Sequence, residues 1–311
     1  MNDNKRCIFL ISARKNLLKK CLTHLDFNYN FKHNYPIIIF YHGNKYDNPK
    51  FRNKIKSINR KTEYRFHKLK AALPSHISKK DLFWNLENNK YAKNFKGRID
   101  YLHANYFWNN FMNYEELKEF KYLMRIDDDS WFKNSINFDF FDELNNSKCL
   151  FGTAYTWKVS QNSFETRTNL FKWIKHYVDK YNIVIKDKKL EKSLNGKQDN
   201  KLFHSMDWNC GNCNIYNRKM FEKKSWKTYN NEFNKIAGGY KYRWGDCEVI
   251  GLYSYIHLSN PLKNFDLRSK DLYEPQLPDA GIIVSKRLKT IEAIKTFIKF
   301  LIKKLIRFIN K

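Results

Sequence analysis

Short apolar runs alternate with polar, helically spaced segments through the first half of the chain, the pattern of a parallel α/β sheet. Residues 7–13 (CIFLISA) read as a buried strand, and Leu17, Leu18, Cys21 and Leu25 then mark a helix over residues 14–25. Residues 36–41 (PIIIFY) form a second buried strand closed by a turn at Gly43 and Asn44, and residues 62–66 a third. Residues 67–96 are polar and mixed, helix with loop. Tyr101, Ala104, Tyr106, Phe107 and Phe111 place a helix within residues 97–114, and an apolar strand follows over residues 122–127.

The second half is less regular. Residues 138–144 read as helix and 149–157 as strand, whereas 158–205 are mostly polar and read as an insertion or loops, with a solvated lysine-rich run at 186–192. Residues 208–216 suit a short irregular strand and 218–233 a helix, with Gly238 and Gly239 as a flexible hinge before an apolar, aromatic stretch at 249–257. No internal repeat is present. After Pro275 and Pro278, Ser285 is placed to cap a helix running to the C-terminus. In it Leu288, Ile291, Ile294, Ile298, Leu301, Leu305 and Phe308 recur on one side, opposite Lys295, Lys299, Lys303 and Arg307. Such a helix is too charged to span a bilayer and is expected on a membrane surface, or docked on the protein's own core or a partner. The expected organisation is a tail (1–6), a main α/β domain (7–265), a linker (266–284) and this basic amphipathic helix (285–311).

Composition adds little beyond a folded chain: 42% of the 311 residues are hydrophobic and 17% aromatic, enough for a large core. The net charge of +28 attracts anions such as nucleotide diphosphates, nucleic acid or an acidic membrane face. Part of that excess goes with abundant Lys, Asn, Ile, Tyr and Phe and scarce Gly and Pro, the usage of an AT-rich genome, so charge is a weak pointer to a partner. Cys7, Cys21, Cys149, Cys210, Cys213 and Cys247 show no disulfide framework, and Cys210 and Cys213 form a lone CxxC without the second pair of a zinc site. The apolar run after Arg6 is too short for a signal peptide or a transmembrane helix, so the chain is expected on the cytoplasmic side.

The candidate chemistry sits where the strand at 122–127 ends in Asp127, Asp128 and Asp129. Three adjacent carboxylates repel one another unless a cation lies against them. Mg²⁺ or Mn²⁺, which favour oxygen ligands and bridge carboxylates to diphosphates, suits that place, and ligands of open α/β sheets bind at the carboxyl ends of strands. A solvated acidic turn is the plain alternative.

Several stretches resemble, in order, the fungal Golgi α-1,2-mannosyltransferases (glycosyltransferase family 15). They are Ile11-Ser12-Ala13-Arg14-Lys15-Asn16, Tyr101-Leu102-His103-Ala104-Asn105-Tyr106-Phe107 and Tyr122-Leu123-Met124-Arg125-Ile126-Asp127-Asp128. Asn137-Phe138-Asp139-Phe140-Phe141, Phe151-Gly152-Thr153-Ala154 and Gly238-Gly239-Tyr240-Lys241-Tyr242-Arg243-Trp244-Gly245-Asp246 follow, so the resemblance covers about residues 7 to 257. It implies a GT-A fold, a mostly parallel sheet flanked by helices. It also implies retaining transfer of a sugar, mannose from GDP-mannose with Mn²⁺ or Mg²⁺, to a glycan, glycolipid or glycoprotein acceptor. Carried across, it puts Ser12, Arg14, His103, Asp127 and Asp128 at the nucleotide sugar, with Tyr101 as a catalytic residue close to the donor and Asp246 as another, at the acceptor side or bracing the active-site loop. Asp127 takes the place of the family's metal-binding Glu, with Asp129 and, at greater distance, His257 as further metal ligands.

The departures are specific. Ile250 stands where the family has a metal-binding His four residues after Trp-Gly-Asp, and Asn214 stands where it keeps a Glu. The family's N-terminal anchor and stem are expected to be lacking here. Trp244 is expected to pack, Gly245 to serve a tight turn and Arg243 to make a local ion pair. A basic nucleic-acid-binding protein or metal-dependent nuclease is the alternative of a different class, although no zinc finger, helix-turn-helix or Arg-rich recognition helix is apparent. A membrane-surface scaffold with a decayed centre is the third.

Overall fold

The computed structural model describes residues 5–70, 72–86, 96–158, 169–195, 206–267 and 271–273. The expected basic helix at 285–311 and most of the linker lie outside the described residues. Strand β1 (Arg6–Ser12) runs into α1 (Lys15–Asn28), and β2 (Ile37–Tyr41), α2 (Pro49–Lys56) and β3 (Tyr64–Lys68) follow. Then come α3 (Ile99–Asn110), β4 (Tyr122–Ile126), β5 (Trp131–Phe132), α4 (Phe140–Asn146), β6 (Phe151–Thr153) and β7 (Thr156–Lys158). Helices α5 (Leu170–Lys180) and α6 (Lys188–Asn195), strands β8 (Asp207–Asn209) and β9 (Cys213–Asn217), and helices α7 (Lys224–Ile236) and α8 (Asp246–His257) complete the main elements. Two short strands, β10 (Lys263–Asn264) and β11 (Leu272–Tyr273), end the described part.

Seven strands form one sheet in the order β10-β6-β9-β4-β1-β2-β3. The β1–β2, β1–β4, β2–β3 and β6–β10 pairs are parallel, and β9 alone runs against its neighbours β4 and β6. Successive side chains on a strand point to opposite faces. Cys7, Phe9, Ile38, Phe40, Leu123 and Tyr216 therefore join α3, α5, α7 and α8 on one side. Ile8, Leu10, Ile37, Ile39, Met124 and Ile215 join α1, α2 and α4 on the other. Coverage of both faces explains why β2 is an unbroken apolar run, IIIFY, with every residue buried.

Five expectations need correction. The single strand at 149–157 is two, β6 and β7, separated at Ala154 and Tyr155. That at 208–216 is likewise β8 and β9, broken at Cys210, Gly211 and Asn212. The polar segment 158–205 carries two amphipathic helices: α5 buries Leu170, Trp173, Ile174 and Tyr177, an i, i+3, i+4, i+7 stripe set among lysines. Gly238 and Gly239 form no hinge; both are buried in a helical turn (Gly238–Lys241), and a Cβ at Gly238 would overlap the Trp244 ring. Gly245 has φ −87°, open to any residue, so it serves space: a Cβ there would lie 2.7 Å from Glu248 Oε2. No helix among the described residues is long and apolar enough to cross a membrane.

Candidate active site

β1 and β4 are parallel neighbours, so the turns leaving their carboxyl ends lie side by side. One carries Ser12 and Arg14, the other Asp127, Asp128 and Asp129. Arg14 is the residue before α1, whose first turn has no acidic residue, so the helix N-terminus opens toward this edge with its dipole favouring anions.

The three aspartates have different surroundings. Asp128 turns inward, its side chain only 4% exposed. It accepts a 2.6 Å hydrogen bond from the Ser12 hydroxyl and bonds from the Arg14 guanidinium to both oxygens. The Ser12 hydroxyl also lies 2.7 Å from Tyr46 OH. Burial pushes the Asp128 carboxyl up, against the stabilising pull of Arg14 and Ser12. Ser12 and Asp128 thus bind each other and Arg14 at this edge of the sheet. Asp129 keeps 24% of its side chain exposed and meets Arg14 Nη2 at 3.0 Å.

Asp127 keeps 30% of its side chain exposed and is held by Arg125 from its own strand, Nε to Oδ1 at 3.1 Å. Its carboxyl is pushed up to about 7 by burial, and by the negative charges of Asp129 and Asp246, with Arg125 opposing. Arg125 is the residue the sequence motif contains but does not single out. It occupies an inward position of an otherwise apolar strand, pairs with Asp246 at the start of α8, and lies 3.8 Å from the Trp108 ring centre. The signal was a cation at the position two before the acids in a run that alternates between two buried faces.

Asp246 is therefore in a buried pair joining α8 to β4, which is the bracing role for that turn. Burial raises its pKa, Arg125 opposes, and Glu248 adds to the rise. Tyr101 approaches the same group: burial pushes its hydroxyl up, Arg243 opposes, and Glu248 and Asp246 add to the rise. Arg243, at φ +57°, places its guanidinium 5.3 Å from the Tyr101 ring centre, a cation–π contact. Trp244 packs as expected, fully buried beside Trp173, Phe233 and Tyr242. The Nδ1 of His103 is 3.1 Å from Tyr240 OH and its ring faces His42. Burial and the neighbouring His42 lower its pKa.

His257 is a correction. It ends the helix that Asp246 begins, about 16 Å away by the helical rise of about 1.5 Å per residue. There its Nε2 is 3.1 Å from Tyr177 OH, among Tyr229 and Tyr253. Ile250 is fully buried in the apolar core. Asn214 lies opposite Arg125 on β9, buried, with its Nδ2 unpaired. The six cysteines are free thiols, and Cys210 spends its sulfur on Thr153 and the Cys213 carbonyl. Among the described residues no three His, Cys, Asp or Glu side chains converge as a complete metal-ligand set. The partly exposed oxygens of Asp127 and Asp129 still suit a hard cation that takes its other ligands from a diphosphate and water.

Known structures share this architecture. Core-mannan synthase A (CmsA/Ktr4) from Aspergillus fumigatus, in an Mn/GDP form, superposes with a TM-score of 0.70 at 15% identity, over 88% of this chain and 75% of that one. The mannosyltransferase Ktr4p from S. cerevisiae, alone and in complex with GDP, gives 0.72 at 17% identity, over 90% and 76%. The fold is that of these fungal mannosyltransferases. No protein-family model and no curated protein matches the sequence. The expected mostly parallel GT-A sheet flanked by helices is thus present, with Asp127 at the end of its central strand.

Proposed function

We propose that the protein is a metal-dependent glycosyltransferase that moves mannose from GDP-mannose, with retention, to a hydroxyl of a glycan, glycolipid or glycoprotein. The observation that carries the reading is the meeting, at the carboxyl edge of a mannosyltransferase fold, of two part-exposed carboxylates with an arginine and an open helix N-terminus. The solved relatives hold GDP, one of them with manganese, and that supports the choice of donor.

Asp127 and Asp129 would hold Mn²⁺ or Mg²⁺, which when bound neutralises charge on the departing diphosphate as a Lewis acid. Arg14 and the first turn of α1 bind the diphosphate oxygens, by charge-assisted hydrogen bonds and by dipole. Arg125 keeps Asp127 oriented and Asp246 ties α8 to that orientation, so the carboxylate is fixed before the donor arrives. His103 and Tyr101 line the α3 side, where the sugar and its acceptor would lie. Asn214 supplies no carboxylate at the family's Glu position, so a covalent adduct there is not available. Attack from the leaving-group face is the retaining route this reading favours.

A thermal-shift screen of nucleotide sugars with and without Mn²⁺ tests the reading, because a ligand of the native state raises apparent stability by mass action. GDP-mannose with Mn²⁺ should raise Tm and Asp127→Ala should abolish both that rise and transfer, with the fold retained. An active Asp127→Ala removes the metal assignment.

A further inference from the structure

All three aspartates already have a cationic partner within the protein: Arg125 for Asp127, and Arg14 for both Asp128 and Asp129. The two arginines are held very differently. Arg125 is buried, fixed by Asp246 and by the Trp108 ring. Arg14 has 52% of its side chain exposed, and its guanidinium reaches Asp129 through a single contact of 3.0 Å. That contact falls on one of the two carboxylates assigned above to the metal.

We propose that Arg14 is an exchangeable counter-ion: it occupies Asp129 when the site is empty and passes to the diphosphate when metal and nucleotide enter together. This rests on the transferase reading above and adds to it a coupling between the two ligands. Three features lead there. Arg14 holds one oxygen of Asp129, so a metal on that carboxylate competes with the guanidinium for its charge and its second oxygen, and metal alone binds against a charge-assisted hydrogen bond. A diphosphate offers Arg14 a replacement, since a guanidinium pairs with phosphate and carboxylate oxygens in the same planar geometry. The pivot is ready-made: Ser12 and Arg14 both bind the buried Asp128, so Arg14 can release Asp129 while keeping its hold on the sheet edge. Metal affinity is thereby low without nucleotide and rises with it, and by linkage the nucleotide gains from the metal by the same factor.

The test is Mn²⁺ titration of the full chain with and without GDP, read by the electron paramagnetic resonance signal of free Mn²⁺. Wild-type protein should bind Mn²⁺ weakly alone and more tightly with GDP. Arg14→Met should tighten Mn²⁺ alone by about tenfold, the scale of one charge-assisted hydrogen bond, and weaken GDP by a similar factor. The tightening should vanish in Arg14→Met combined with Asp129→Asn. Arg14→Lys, which keeps a cation against buried Asp128, should lie between wild type and Arg14→Met in both affinities and guards against loss of folding. Unchanged or weaker Mn²⁺ binding in both Arg14 variants overturns the exchange while leaving the transferase reading intact. Wild-type protein that binds no GDP even with Mn²⁺ overturns that reading, and the exchange with it.

Discussion

Arg125→Met is the most informative single perturbation of the site's frame. The side chains of Arg125 and Asp246 are 3% and 7% exposed, and Arg125 also faces Asp127. Methionine keeps much of the volume and the contact with Trp108 but leaves two carboxylates without their cation. Removing one partner of a buried pair costs about 3–5 kcal/mol, mainly the penalty on the charge left behind. Those carboxylates can escape by taking protons. In the variant their folded pKa values rise further above the unfolded ones, so the folded state binds more protons than the unfolded state over that window. Stability of the variant therefore increases as pH falls, and the deficit against wild type shrinks from pH 8 toward pH 5. Urea unfolding of both proteins at several pH values measures this directly. A deficit below about 1 kcal/mol at pH 8, the scale of an exposed pair, refutes the reasoning, as does a deficit that does not shrink on acidification.

Other expectations follow from single groups. Because the Asp127 carboxyl is pushed up to about 7, Mn²⁺–GDP should displace a proton below that value; affinity should rise with pH up to about 7 and then level, with proton release seen by calorimetry in two buffers. His257, lowered to about 4 by burial, is neutral in the folded protein, so its contribution to stability is present above about 6.5 and is lost as pH falls toward 4. His257→Gln should flatten the acid limb of the urea midpoint and leave Mn²⁺ affinity unchanged; a lost metal site in that variant would contradict the geometry. Gly238→Ala should destabilise by about 1–3 kcal/mol through overlap with Trp244, whereas a flexible hinge would tolerate it with little change in Tm.

Much of the sheet was legible because its strands are buried on both faces and so appear as uninterrupted apolar runs: β1, β2 and β4 fall within a residue of where the pattern puts them. What failed was bent or disguised. β6 and β7 are joined by a buried Ala154 that continues the apolar run through a break, so periodicity sees one strand. Helix α5 hides its buried stripe among exposed lysines, where charge dominates the eye and spacing is easily missed. In the site, acids at the end of a strand are a local signal and were found. The partnership of Arg125 with Asp246 spans 121 residues, and the inward turn of Asp128 depends on Ser12 across the sheet, so neither is visible in spacing. His257 erred for the opposite reason: nearness in sequence to the Trp-Gly-Asp turn is no nearness in space once a helix lies between.

Crystals grown with GDP and Mn²⁺, measured at a wavelength where manganese scatters anomalously, put the central claim to its most direct test. The account predicts one strong anomalous peak bonded to carboxylate oxygens of Asp127 and Asp129, with the GDP diphosphate completing its ligands and Arg14 turned onto a phosphate. A peak elsewhere, or bound GDP with those carboxylates still paired only to Arg14 and Arg125, would contradict it.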